Sequence, residues 1–208
     1  MKPIKIFSIL LMLCLGIATV ATAQPAAVKK AANTTFTLTT FDAKGSILST
    51  SNGVFVSNNG ICVSTWKPFV GAMKAEVTDN NGQKYSVETI LGANELYDVA
   101  KFKVTAKTNA ALFAPSVVAN SAAWIVMPSQ AGAPIKANID KVEKFMTKYN
   151  YCVLSTTASE KYNGAPVLND KGQIVGIYNS NGTLQSATDA KYANDFVLTG
   201  LSQNDPTL

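Results

Sequence analysis

Hydroxyls, thiols, amines and carboxylates are all present in this chain, but the side chain that most often couples them is missing. The 208 residues include no histidine and no arginine, so all 18 basic residues are lysines. Without an imidazole there is no Ser-His-Asp triad, no Cys-His dyad and no nitrogen ligand for zinc, copper or haem. Without a guanidinium there is no planar fork for phosphate or guanine. The nucleophiles open to consideration are Ser64, Thr65, Ser159 and Cys152. A Ser–Lys dyad built from Ser64 and Lys67 is chemically conceivable. Two groups on one short segment rarely aim at a single carbonyl, which counts against it. The 13 carboxylates are scattered and form no glycosidase-like pair. No Gly-rich phosphate loop and no calcium loop occurs. The sequence therefore predicts no cofactor and no metal.

Positioning such groups requires a scaffold, and its signals are those of strands. With 47% hydrophobic and 15% charged residues the chain is globular rather than disordered. Five Asn-Gly pairs, at Asn52, Asn59, Asn81, Asn163 and Asn181, suggest tight turns with positive φ. Between them lie short runs rich in β-branched and aromatic residues. They are residues 35–41, 53–56, 61–64, 84–91, 100–104, 123–127, 135–139, 151–156, 174–178 and 183–186. Many short strands with frequent turns imply a sandwich or barrels. Ala193, Phe196, Val197 and Leu201 form an apolar stripe at helical spacing, predicting a short C-terminal helix that could cap a barrel. Residues 140–148 suit a helix or a strand, and the Ala-rich stretch 105–114, closed by Pro115, resembles a connector.

Residues 1–23 read as a secretory signal peptide. Lys2 and Lys5 precede an apolar run, and Ala21-Thr22-Ala23 is an A-x-A cleavage site. The run is too short to span a bilayer, and no later stretch is long enough. Cys14 follows Leu13 rather than the small residue a lipid anchor needs. The expectation is cleavage after Ala23 and export to the periplasm or the medium. Residues 24–33, rich in Ala and Lys, read as a flexible leader. Without Lys2 and Lys5 the formal charge falls from +5 to +3, which is mild and spread along the chain, so no nucleic-acid or membrane partner is inferred. Cys62 and Cys152 sit inside strand-like apolar runs, where buried free thiols are the commoner outcome.

Three segments then carry a resemblance. The first is residues 53–67, GVFVSNNGICVSTWK; the second is residues 97–104, YDVAKFKV; the third is residues 163–177, NGAPVLNDKGQIVGI. In order and spacing they resemble the trypsin-like serine proteases of the bacterial HtrA (Deg) type. Those carry G-x-[VI]-[VI]-x-x-x-G-x-[IV]-[LV]-T-N-x-H, then D-[LV]-A-[LV]-[LI]-[KR]-V, then G-N-S-G-G-P-[LV]-[LV]-N-x-x-G. The likeness extends over nearly all of the chain after Ala23. It implies an all-β fold of two antiparallel β-barrels, residues 34–106 and 107–208, with a short C-terminal helix and a shared catalytic cleft.

Carried over residue by residue, the resemblance implies loss of the catalytic triad. The histidine position is Lys67, the aspartate position is the retained Asp98, and the nucleophilic serine position is Asn163. Lys161 stands where a glycine would supply an oxyanion-hole amide, and Ala165 replaces a second glycine. A carboxamide is no activated nucleophile, and a lysine near its ordinary pKa is no general base. The sequence thus predicts a pseudoprotease binding a peptide or protein in its remnant cleft. The alternatives are an active hydrolase with an atypical nucleophile and a structural envelope protein with a plugged cleft. Lys67 and Asp98 are expected either to pair or to act separately, Asp98 then accepting from local backbone amides. Trp66, Tyr97 and Tyr162 are candidates for a peptide-binding patch if exposed, or for filler if buried.

Overall fold

The computed structural model describes residues 24–144 and 148–195. Twelve strands form two closed antiparallel barrels of six. The first contains β1 (Thr35–Phe41), β2 (Ile47–Phe55), β3 (Ile61–Ser64), β4 (Lys74–Asp79), β5 (Lys84–Asn94) and β6 (Val99–Val104), in the order β1-β2-β3-β6-β5-β4. The second contains β7 (Ser121–Ile125), β8 (Ile135–Glu143), β9 (Tyr151–Thr156), β10 (Pro166–Leu168), β11 (Ile174–Ser180) and β12 (Gln185–Thr188), and repeats the same winding as β7-β8-β9-β12-β11-β10. Closure leaves no edge strand unpaired.

The alternation of side chains along each strand divides the apolar residues into three clusters. Phe36, Leu38, Phe55, Cys62 and Phe102 fill the first barrel. Ile125, Ile139, Cys152, Leu154 and Tyr178 fill the second. Val54, Val63, Val99, Trp124, Leu168 and Ile177 fill the seam between them. β2 and β3 are therefore apolar on both faces where they meet the seam: Phe55 and Cys62 point inward, while neighbouring Val54 and Val63 point at the other barrel. Cys62 and Cys152 are free thiols, one in each barrel interior.

Residues 24–33 are not the structureless leader the composition suggests. Ala26–Ala31 form a helix, α1, followed by a 3-10 turn over Ala32–Thr34. Val28 and Ala31, three apart on one face, are buried in the seam. That buried face is the physical reason for the order: fully burying a valine stabilises by about 1.5–3 kcal/mol. Asn52-Gly53 is not a turn either, because it lies inside β2 opposite Thr37 and Phe36. A Cβ on Gly53 would fall 2.3 Å from the Phe36 ring, so this glycine serves packing. β4 and β10 carried no separate strand signal, and residues 140–143 continue β8 rather than a helix. At the C-terminus, residues Ala190–Asp195 form a 3-10 helix. The rest of the expected terminal helix lies outside the described residues, as do residues 1–23.

Candidate functional site

Asp98 lies between β5 and β6 with φ of +48°, a left-handed conformation that aspartate adopts more readily than most non-glycine residues. Its carboxylate is a hub of contacts. Oδ1 accepts hydrogen bonds from the backbone N–H of Trp66 (2.9 Å) and Lys67 (2.8 Å), at the start of the 3-10 turn Lys67–Phe69 that follows β3. Oδ2 accepts one from Asn179 Nδ2 on β11 at 2.5 Å and lies 3.6 Å from Lys67 Nζ. The ion pair and the backbone contacts coexist on one residue. The Lys67 side chain is 70% exposed, so its pair with Asp98 is worth no more than about 1 kcal/mol. The hydrogen bonds are buried (Trp66) or part-buried (Lys67 and Asn179) and matter more.

Across the seam, Glu160–Tyr162 form a 3-10 turn that runs into a type II turn at Asn163-Gly164. Asn163 has φ −52° and ψ 137°, Gly164 has φ +84°, and Ala165 N–H donates to Tyr162 O at 2.9 Å. Every polar group of Asn163 is engaged within the protein. Its N–H donates to Glu160 O at 2.9 Å. Its carboxamide is bidentate on one residue of β11: Nδ2 donates to Ser180 O (3.1 Å), and Oδ1 accepts from Ser180 N–H (2.7 Å). Its carbonyl oxygen accepts from Ser51 Oγ (2.8 Å) and Asn52 N–H (3.0 Å) of the first barrel. Asn52 Nδ2 also donates to Lys161 O at 2.8 Å. A Cβ on Gly164 would fall 2.1 Å from Asn52 O, so only glycine allows this approach, and its positive φ asks for glycine as well.

The chemical consequence is a loop saturated by its own chain. An amide hydrogen already donated to Glu160 is not presented to a developing oxyanion. Of the four nucleophiles weighed from the sequence, Ser159 is exposed, while Ser64, Thr65 and Cys152 are buried. Ser64 is buried and donates to Asn52 O at 2.5 Å; Thr65 is buried and bonds Ser51 Oγ at 3.0 Å. Ser64 therefore faces the seam while Lys67 faces solvent, and no dyad forms between them. Burial, with a smaller contribution from Asp189, pushes the Cys152 thiol up to about 11, and burial raises Cys62 as well, so both are protonated at neutral pH. Among the described residues no three His, Cys, Asp or Glu side chains converge on a metal position.

The barrels leave a groove of about 230 Å³ beside Lys67 and Asp98, bounded by Leu96, Tyr97, Tyr151 and Leu184. Of the three aromatic candidates only Tyr97 reaches it. Trp66 is buried in the first barrel and stacks on Phe69 with centroids 5.9 Å apart, and Tyr162 is buried in the second. Of the two alternatives, an exposed patch or buried filler, Trp66 and Tyr162 take the second, because their rings are drawn into the barrel interiors. A different aromatic cluster stands at the junction. Tyr97 stacks on Tyr192 at 3.8 Å, Tyr149 meets Tyr192 edge-on at 5.1 Å, and Tyr151 lies 6.4 Å from Tyr97. Burial, and after it the neighbouring Tyr97, raises the Tyr192 phenol. Sequence reasoning missed Asn179, Ser180, Ser51 and Tyr192, since no local motif marks them and their partners are 17 to 112 residues away.

No model of a known protein family matches this sequence, and no curated protein matches it. Solved structures do match. An HtrA-type protease, AlgW, determined with a tripeptide, superposes with a TM-score of 0.68 at 17% identity over 81% of this chain; a variant of AlgW gives the same values. The chain spans 60% of the length of AlgW. The Rv3671c protease from M. tuberculosis, in its active form, superposes with a TM-score of 0.70 at 12% identity over 85% of each chain. The fold is the double barrel of trypsin-like proteases.

Proposed function

We propose that this chain is a trypsin-like pseudoprotease of the HtrA type, exported after cleavage following Ala23, that binds a peptide or protein segment in the groove between its barrels. The observation that carries the loss of activity is Asn163: the nucleophile position holds a carboxamide bonded at both ends to Ser180, with its N–H on Glu160. Lys67, where a neutral base would stand, supplies a cation, and Lys161 replaces the oxyanion-loop glycine. For binding, the support is the groove itself. Exposed Leu96 and Leu184 form apolar rims, Tyr97 and Tyr151 offer aromatic wall, and Asn181 adds a carboxamide at the margin.

Two measurements on the exported protein test this. A fluorophosphonate probe and a quenched-peptide library should show no labelling and no cleavage above background. A fluorescent peptide library should yield binders whose anisotropy signal falls when Leu184→Asp is introduced. Labelling or cleavage that follows the protein through successive columns would favour the atypical hydrolase. Failure of every peptide to bind would favour the structural reading, which the self-saturated Asn163 loop also supports.

A further inference from the structure

A second cleft lies at the far ends of the strands that carry the degenerate site. β3 has Lys67 beyond its C-terminal end and Asn58 before its start; β6 has Asp98 before its start and Asn109 beyond its end; β10 has Asn163 before its start and Lys171 beyond its end. Asn58, Asn109 and Lys171, together with Lys30 from α1, line a cavity of about 450 Å³. Its walls are held in place by the chain's own bonds. Thr108 donates through N–H and Oγ1 to Asn58 O (3.3 Å) and Ser57 O (3.0 Å), and Ala111 N–H donates to Phe55 O (2.9 Å). The β10–β11 turn packs so closely on α1 that a Cβ on Gly172 would fall 2.8 Å from Ala27 O.

The chemistry of the lining is one-sided. Among the described residues it contains two lysines and no Asp or Glu. Neither lysine is in an ion pair among the described residues. The carboxamides of Asn58 and Asn109 have no hydrogen-bond partner among the described residues, so their donors and acceptors are open to a ligand. The apolar part is aliphatic: Ala31 and Ala111 line the cavity and Leu112, 70% exposed, stands at its mouth. Among the described residues no aromatic ring lines it, so there is no stacking platform of the kind a sugar or a base would use.

We propose that this back cleft is a second binding site, separate from the groove at Asp98, and that its occupant is an acidic peptide segment carrying an aliphatic side chain between its carboxylates. Lys30 and Lys171 pair with the carboxylates, the asparagine carboxamides bond the peptide backbone, and Leu112 covers the aliphatic residue.

The test is a titration of isotopically labelled protein with the capped peptide Ac-Asp-Leu-Glu-Val-Asp-NH2, read by backbone amide shifts. Saturable shifts at Ala31, Asn109, Leu112 and Gly172 are expected. The double variant Lys30→Ala with Lys171→Ala, both exposed and so tolerated by the fold, should weaken binding about tenfold. Lys67→Ala should leave it unchanged, which keeps this result independent of the front groove. No saturable shift up to millimolar peptide would overturn the proposal, as would shifts confined to Asn181 and Leu184. Equal shifts from inorganic phosphate or an oligouronate of the same charge would overturn the peptide assignment.

Discussion

The two lips of the cleft use their polar groups differently. On the first barrel, Asp98 gathers two backbone amides, a carboxamide and an exposed ammonium around one carboxylate. On the second, the loop around Asn163 has turned inward: its amide, carbonyl and side chain are spent on Glu160, on Ser51 and Asn52, and on Ser180. The amides around the Asp98 hub need that acceptor. The groups of the Asn163 loop instead form an inter-barrel staple to Ser51 and Asn52.

Gly164→Ala strikes the staple hardest. The added methyl would meet Asn52 O at 2.1 Å, in a backbone conformation L side chains resist, so a loss of about 3 kcal/mol or more is expected in denaturant unfolding. Asp98→Ala should cost about 2–4 kcal/mol, because it leaves the amides of Trp66 and Lys67 and the Asn179 side chain without their acceptor. Lys67→Ala should cost less than about 1 kcal/mol by the same measurement. If the two were equal, the ion pair and not the amides would define that lip. Asn163→Ala, which removes only the two contacts to Ser180, should cost about 1–2 kcal/mol and speed amide exchange at Ser180.

The barrel interiors offer a smaller comparison through their thiols. The folded Cys152 pKa is raised from 9.0 to about 11, so the folded state keeps a proton that the unfolded chain gives up. Its contribution to stability is therefore whole below about pH 9 and lost as the pH climbs towards 11. Cys62, raised in the same direction by burial, acts likewise in the first barrel. Unfolding midpoints followed across that range should fall, and Cys152→Ala should flatten the decline. Alkylation without reductant should modify both thiols only after denaturation.

Local pattern reached some of this and stopped where contacts became long-range. Three strands, Thr35–Phe41, Ile61–Ser64 and Tyr151–Thr156, were legible to the residue because β-branched and aromatic residues fill them. β10 was hidden by its opening proline and three-residue length, and the strand setting of Asn52-Gly53 by the turn preference of that pair. α1 was hidden because an Ala- and Lys-rich segment shows its purpose only when Val28 meets the seam. Of the site, Lys67, Asp98 and Asn163 were named from the motifs, and the structure brings Lys67 and Asp98 to 3.6 Å. What Asn163 does depends on Ser180, 17 residues away, and on Ser51, 112 residues away; no spacing rule reports either.

Peptide hydrolysis compared across three proteins tests the central claim most directly: the unmodified chain, Asn163→Ser, and Asn163→Ser combined with Lys67→His and Lys161→Gly. Triad members act as a unit, so the unmodified chain and the single variant should both stay at background. The triple variant restores a nucleophile, a base and an oxyanion-loop glycine beside the existing Asp98, and should show weak activity at most. Robust hydrolysis by the unmodified chain, persisting through purification and blocked by a fluorophosphonate, would contradict the account.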